Sequence, residues 1–182
     1  MRGAKYKLYF AIQPPADVAQ QAQDLLRSLQ PAEGFTAKAT PAARMHVSLN
    51  WVGGFHRPPT QVVGKARDVA ATVAHAPFDI SLNRIGTWQA GERPWPLVLW
   101  GDEGVIGVES LHRAIHRALV RLDMAQRREP EFAPHLTLLR DAAVMPEAFI
   151  EPVRWTVREF ALIQSVYGEG RHDVLGRFPL SG

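Results

Sequence analysis

Apolar and polar positions follow two different periods along the chain, and the period of each segment predicts its secondary structure. Apolar residues recur every three or four positions over 17–29, 60–74 and 109–123, which is the spacing of one helix face. Segments that alternate or are continuously apolar predict strands at 7–13, 45–52, 78–85, 97–100, 133–140, 153–157, 160–167 and 173–180. The pattern is typical of a mixed α and β protein.

One strand–helix–strand unit occurs twice in this pattern. The elements 7–13, 17–29 and 45–52 are matched in order and spacing by 97–100, 109–123 and 133–140. No linker of flexible composition separates the two units. We therefore predict an α+β fold in which residues 1–182 form a single bilobal domain with two pseudo-symmetric lobes.

The last strand of each unit carries a histidine followed two residues later by a hydroxyl residue. The two segments are His46-Val47-Ser48-Leu49 and His135-Leu136-Thr137-Leu138. Residues i and i+2 of a strand share a face and lie roughly 6.6 Å apart, so each strand presents an imidazole beside a hydroxyl. The neighbours on the first strand are expected to face the core; they are Met45, Val47, Leu49 and Trp51.

Two imidazoles, each beside a hydroxyl, suit the cleavage of a phosphodiester or its reversal. A neutral imidazole can take a proton from water or a hydroxyl, and a protonated one can give a proton to the leaving oxygen. The hydroxyls can donate hydrogen bonds to the non-bridging phosphate oxygens, and no metal is required. The symmetry of the units would place the two pairs on either side of a groove. The residues alone do not show which histidine is the acid.

The same segments resemble the 2H phosphoesterase superfamily, which is defined by two His-x-Thr/Ser-hydrophobic motifs. Within it, the chain is most similar to the RNA 2′,3′-cyclic phosphodiesterase branch, also called 2′-5′ RNA ligase. The supporting segments are YFAIQPP, MHVSLNWVG, FAPHLTLLR and FALIQSVYGEGRHDVLGRFPL, which occur in the family's order over nearly the whole chain. The resemblance implies antiparallel sheets that line a central cleft, with helices outside. It also implies that water opens an RNA terminal 2′,3′-cyclic phosphate to leave a 2′-phosphate.

The resemblance further implies roles for particular residues. His46 would be the proton donor to the departing 3′ oxygen, and His135 would be the proton acceptor from water. Ser48 and Thr137 would hold the phosphate. Arg140 matches the family's arginine in the second motif and would support phosphate or RNA binding.

Two further residues are candidates for binding the substrate, and two positions depart from the family's pattern. Tyr9 and Phe10, on the first strand beside the expected cleft, are candidates for stacking on a base. His172 is a departure from the resemblance, because relatives often carry a tyrosine at this position. Ser48 replaces the branch's usual threonine and keeps the hydroxyl.

Composition narrows the chemistry and the setting. The absence of cysteine excludes disulfides, thiol nucleophiles and cysteine-ligated metal centres, and it fits a reducing cytoplasm. A net charge of +3 without long runs of like charge favours a local anion site over a surface that coats nucleic acid. No apolar run is long enough to cross a bilayer, and the basic start lacks a signal-peptide core. We expect a cytoplasmic protein that binds no membrane and, because one chain holds the whole site, a monomer.

Two histidines outside the motifs have a spacing that metal ligands can have. His112 and His116 lie four residues apart on a predicted helix, but the flanking Arg113, Arg117 and Arg121 would repel a cation. We therefore expect a solvated basic helix face, and neither a metal nor another cofactor.

Two other functions stay open beside the leading hypothesis of an enzyme whose partner is RNA with a 2′,3′-cyclic phosphate terminus. The groove could hold RNA ends without chemistry. Alternatively, a related enzyme of the superfamily could act on a small cyclic nucleotide, a 2′-5′ oligoadenylate or an ADP-ribose cyclic phosphate. Ligation of RNA ends is the same chemistry in reverse, so it remains open as well.

Overall fold

The computed structural model describes residues 3–129 and 131–181. The eight strands are β1 (Tyr6–Ile12), β2 (Val47–Phe55), β3 (Phe78–Thr87), β4 (Trp95–Trp100), β5 (Leu136–Asp141), β6 (Ala148–Val157), β7 (Glu159–Val166) and β8 (Arg171–Pro179). The helices are α1 (Ala16–Glu33), α2 (Thr60–Ala71) and α3 (Ile106–Arg121), with short 3-10 turns at Ala42–Arg44 and Glu103–Val105. All predicted elements are present in the predicted order. The largest difference is that β6 begins five residues earlier than expected.

All the strands pair antiparallel in one sheet, in the order β6-β3-β4-β5-β2-β1-β7-β8. The contact between β5 and β2 consists of a single residue pair, Val47 with Leu136. The sheet is therefore two four-stranded halves joined at one point. The predicted combination of antiparallel strands and helices is confirmed, and each predicted strand–helix–strand unit contributes its two strands to one half.

The helices connect the two halves. Helix α1 follows β1 of one half and packs against β5 and β6 of the other. Helix α3 contacts β3 of its own half and β2 of the opposite half, while α2 lies against α3 and β8. Within the described ranges, no helix combines the length and apolarity needed to cross a membrane.

Strand β1 separates the main core from the opposite face of the sheet. Leu8, Phe10 and Ile12 are fully buried in the main core, and the ring of Phe10 meets Phe160 edge-on at a centroid distance of 5.8 Å. Tyr9, on the other face, belongs to a separate small apolar cluster. The expectation that Phe10 lies beside a cleft is therefore wrong, because consecutive strand residues face opposite sides.

Strand β2 contains an irregularity that reverses its alternation. Opposite β1, Ser48 pairs with Ala11 and Trp51 with Tyr9, so three steps along β2 face two along β1. This extra residue is a β-bulge, and it brings Trp51 to the same side as Ser48. Trp51 is 47% exposed, so the expectation that it faces the core is wrong.

The two histidines of α3 are buried, which corrects the expectation of a solvated face. His112 is only 2% exposed, and its Nδ1 donates to the Leu49 carbonyl of β2 at 3.0 Å. Its ring stacks on Phe132 at a centroid distance of 4.0 Å, and His116 is buried one turn along the helix. The reason is that α3 is covered on this side by β2 and by the segment that leads to β5, whereas its arginines face outward.

Candidate active site

The two motif histidines lie at the point where the half-sheets join. His46 directly precedes Val47, and His135 directly precedes Leu136, the two residues of the single bridging pair. An antiparallel register centred on that pair places His46 opposite Thr137 and Ser48 opposite His135. The four polar side chains therefore share the sheet face opposite to the buried Val47 and Leu136. The fold brings together the residues that the two motifs predicted.

Each imidazole is oriented by the same local hydrogen bond. Nδ1 of His46 lies 2.8 Å from the carbonyl oxygen of Arg44, and Nδ1 of His135 lies 2.8 Å from that of Ala133. A carbonyl oxygen can only accept, so Nδ1 carries the hydrogen in both rings. The neutral rings are therefore unprotonated at Nε2. Nε2 is the atom of each ring that remains available for proton transfer.

These side chains line one cleft with a volume of about 800 Å³. Its described lining includes no Asp or Glu, but it includes four permanent cations, which are Lys7, Lys38, Arg44 and Arg140. Three histidines also line it: His46, His135 and His172. A cleft with this lining attracts anions, because the described lining carries four cations and no carboxylate.

The placement of the other candidates is mixed. Ser48, Thr137, Arg140 and Tyr9 line the cleft with the two histidines. Phe10 does not, since it is buried in the core on the other side of β1.

Burial lowers the pKa of both motif histidines. For His46, burial is the largest cause, the hydrogen bond to Arg44 opposes it, and the charges of His135 and Arg44 lower the pKa further. For His135, burial again comes first, the hydrogen bond to Ala133 opposes it, and Arg140 adds to the lowering. An anion bound between the rings would counter both effects, because it stabilises the protonated imidazole.

A second group of rings lies against His46. The His172 ring centroid is 5.4 Å from that of His46, and the Tyr9 ring centroid is 5.2 Å from it. Tyr9 Oη lies 3.4 Å from His172 Nδ1. Burial raises the pKa of Tyr9 to about 12, and burial followed by the charge of His46 lowers the pKa of His172 to about 4. Both side chains are therefore uncharged at neutral pH.

Several cleft residues had no signal in the sequence pattern. Arg44 lies on a short 3-10 turn, Lys38 lies on a loop, and the β2 bulge turns Trp51 toward the cleft. The Trp88 ring lies 4.6 Å from that of His135. Lys7 could have been found from the pattern, because it shares a face of β1 with Tyr9.

Within residues 3–129 and 131–181, no group of three or more His, Asp or Glu side chains is arranged to hold a metal ion.

Comparison with known proteins gives the family. The family model described as the 2′-5′ RNA ligase superfamily matches residues 14–169. The chain belongs to the 2′-5′ RNA ligase superfamily. A curated relative, the RNA 2′,3′-cyclic phosphodiesterase of Escherichia coli strain K12, is 26% identical over 171 residues, covering 91% of this chain and 90% of the relative. The resemblance inferred from the two motifs is therefore confirmed, and the family and the relative together support an enzyme of the phosphodiesterase class.

Solved structures agree with the fold of this superfamily. A crystal structure of a phosphoesterase has 26% sequence identity and a TM-score of 0.75, covering 97% of this chain and 99% of that one. E. coli LigT complexed with 3′-AMP has 24% identity and a TM-score of 0.73, with coverage of 97% and 98%. In each comparison, the structural similarity extends over almost the whole of this chain and of the solved one.

Proposed function

We propose that the protein is an RNA 2′,3′-cyclic phosphodiesterase that opens the terminal cyclic phosphate to a 2′-phosphate without a metal. The single observation that carries this proposal is the pair of imidazoles fixed through Nδ1, with both Nε2 atoms available in one cationic cleft. The relative in E. coli, named for this activity, supports the choice of substrate.

The proposed reaction uses one proton transfer on each side of the phosphorus. Nε2 of His135 takes a proton from water as the water oxygen bonds to phosphorus. The P–O3′ bond breaks, and Nε2–H of His46 gives its proton to O3′, which leaves a 3′-hydroxyl and a 2′-phosphate. The acid and base roles follow the resemblance to the family. Exchange of protons with solvent returns both histidines to their starting states.

The hydroxyls and arginine act on the charge of the phosphate. Ser48 and Thr137 donate hydrogen bonds to the non-bridging oxygens, whose negative charge grows as the phosphorus becomes five-coordinate. Arg140, whose charge lowers the pKa of His135, adds a fixed positive charge on the side of the attacking water. All of these groups are present before the substrate arrives, so little reorganisation is needed during the reaction.

The test is incubation of an RNA oligonucleotide that ends in a 2′,3′-cyclic phosphate, in buffer with EDTA. We expect a 2′-phosphate product, and we expect His46→Ala and His135→Ala each to lower kcat by at least about 100-fold. His56→Ala is the matched control, because His56 is exposed and does not line the cleft.

Other outcomes would contradict parts of the proposal. Full activity in either motif variant, with circular dichroism showing a folded protein, would rule out the two-histidine mechanism. A 3′-phosphate product would show that the P–O2′ bond breaks instead of the P–O3′ bond. Tight RNA binding without product at any pH would indicate a binding module. Faster turnover of a 2′-5′ oligoadenylate or an ADP-ribose cyclic phosphate would assign a different substrate to the same chemistry.

A further inference from the structure

Arg44 has an unusual environment for a charged side chain. It is half-buried in the cleft wall, and its Nε is enclosed with no hydrogen-bond partner in the described part of the chain. Its guanidinium extends to the β7–β8 turn, where Nη1 would lie 3.4 Å from a Cβ on Gly170. Half-burying a charged guanidinium costs free energy unless an opposite charge is near, so an anion bound in the cleft would stabilise Arg44 by compensating its charge.

The two cleft arginines belong to different halves of the sheet: Arg44 lies on the turn before β2 and extends to the β7–β8 turn at Gly170, whereas Arg140 lies on β5. The charge of Arg44 lowers the pKa of His46 and His172, whereas Arg140 is the arginine that lowers the pKa of His135. A phosphate that reacts between the two histidines therefore has Arg140 on the His135 side. Arg44 is left for a second anion, on the His46 side.

Lys7 is a second cation on that side. It lies two residues from Tyr9 on the same face of β1, and it pairs across the sheet with Ser165, which in turn pairs with His172. Lys7 and Ser165 both line the cleft. Because Tyr9 and His172 are uncharged at neutral pH, Arg44 and Lys7 supply the fixed positive charge in this part of the cleft.

The chemistry of the reaction identifies the second anion. His46 protonates O3′, which stays on the ribose, while the water enters on the His135 side. The terminal nucleoside therefore extends to the His46 side, and its 5′ oxygen lies farther along that side than O3′. A phosphate on the 5′ oxygen would approach Arg44 and Lys7.

We propose that Arg44, assisted by Lys7, binds the phosphate on the 5′ oxygen of the terminal nucleoside. The enzyme therefore prefers ends that carry this phosphate, either as a monoester or as the diester of a longer chain, over a bare nucleoside 2′,3′-cyclic phosphate. This inference rests on the proposed function and on His46 as its acid.

The experiment compares kcat/KM for three substrates. They are a nucleoside 2′,3′-cyclic phosphate with a free 5′-hydroxyl, the same compound with a 5′-monophosphate, and a dinucleotide that ends in a 2′,3′-cyclic phosphate. The wild type is expected to prefer both 5′-phosphorylated substrates by at least about tenfold, as a charge-assisted hydrogen bond provides. Comparing these two substrates shows whether the phosphate alone suffices or the upstream nucleoside adds contacts; a preference for either supports the proposal.

Variants then locate the preference. Arg44→Met is expected to reduce the ratio of kcat/KM between substrates with and without the 5′-phosphate to about threefold or less, and Arg44→Lys is expected to retain part of this ratio. Lys7→Met is expected to lower the same ratio. Lys7 is exposed, so the fold does not need its side chain. Arg140→Met should lower kcat/KM for all three substrates and leave the ratio in place. Arg113→Met is the neutral control, since Arg113 is exposed on α3 outside the cleft.

Three results would overturn the inference in different ways. Equal wild-type turnover of all three substrates would show that no 5′-phosphate site exists, while the proposed function would stand. An equal loss on all three in Arg44→Met, with the ratio unchanged, would place Arg44 at the reacting phosphate. No turnover of any substrate by the wild type would overturn the proposed function itself, and this inference with it.

Discussion

His46 and His135 are held in the same way, and both have a pKa below the ordinary value of about 6.5. The proposed reaction needs one ring protonated and the other neutral, so kcat/KM should follow a bell whose maximum lies between the two free-enzyme pKa values. We therefore predict a maximum of kcat/KM below pH 6.5. The kcat maximum should lie at higher pH, because the bound phosphate favours the protonated imidazole. Rate measurements from pH 4.5 to 8.5 check this, and kcat/KM that rises from pH 6.5 to 8 would contradict it.

Substitutions of Ser48 and Thr137 can distinguish the effect of side-chain shape from the effect of the hydroxyl hydrogen bond. Thr137→Val keeps the shape and removes the donor, so we predict a decrease in kcat of about 100-fold, whereas Thr137→Ser should retain most activity. Ser48→Ala and Ser48→Thr form the equivalent pair on the other strand. Steady-state kinetics on an RNA cyclic phosphate measure all four variants. If Thr137→Val turned over as fast as Thr137→Ser, Thr137 would have no part in stabilising the transition state.

The two-residue period of a strand predicted that the histidine and the hydroxyl residue of each motif share a face, because only one residue separates them. It failed for Trp51, since the extra residue of the β2 bulge lies between Ser48 and Trp51 and a bulge has no signature in apolar periodicity. Phe10 was misplaced by assigning it to the same side as its neighbour Tyr9. Arg44 could not be found by periodicity, because it belongs to a single 3-10 turn before the strand.

At the level of elements, Asp141 connects the end of β5 to the loop that forms one wall of the cleft. Its Oδ2 accepts the backbone N–H groups of Thr36 and Ala37 at 2.8 and 2.7 Å, and Oδ1 accepts that of Ala143 at 3.1 Å. These three donors stabilise the carboxylate and lower the pKa of Asp141 to about 2. The loop continues through residues 37–41, all of which line the cleft.

We predict that Asp141→Asn loosens this wall, because an amide has one acceptor oxygen and turns its NH₂ toward backbone donors. The urea midpoint should fall at pH 7, and KM should rise by a larger factor than kcat falls. Asp24→Asn is the control, as Asp24 is exposed on α1 and accepts hydrogen bonds from Gln20 and Arg27 of its own helix. An unchanged KM in Asp141→Asn would show that the loop holds its position without this carboxylate.

Helix α3 shows where element prediction from the sequence reaches its limit. Its histidines and its arginines both recur every four residues, one position apart, so either set could face solvent. The outcome depends on tertiary packing: β2 supplies an acceptor at Leu49, and Phe132 supplies a ring to stack on His112. Periodicity predicted the position of the helix and its apolar stripe, of which Leu111, Ile115 and Leu119 are buried, but it did not predict that the packed surface also includes the two histidines.

At the level of the whole molecule, the two half-sheets share a single bridging pair, but the helices of each half pack on the other. We propose on this basis that residues 1–182 form one cooperative folding unit, as the repeated strand–helix–strand pattern and the missing linker suggested. The arrangement of the two histidine–hydroxyl pairs then depends on the whole fold, because His46 and His135 come from opposite halves.

This arrangement predicts an acid-sensitive stability. The pKa values of His46, His112, His135 and His172 are all lowered, mainly by burial, and that of His172 falls to about 4. As pH falls below about 6.5, the unfolded chain binds protons before the folded protein does, so the free energy of unfolding decreases through this window. Asp141 adds nothing between pH 7 and 5, because it is ionised in both states there. We predict one urea transition whose midpoint falls from pH 7 to pH 5, with a smaller fall in His172→Asn. Two transitions would contradict the single folding unit, and a constant midpoint would show that these histidines are protonated as readily in the folded protein as in the unfolded chain.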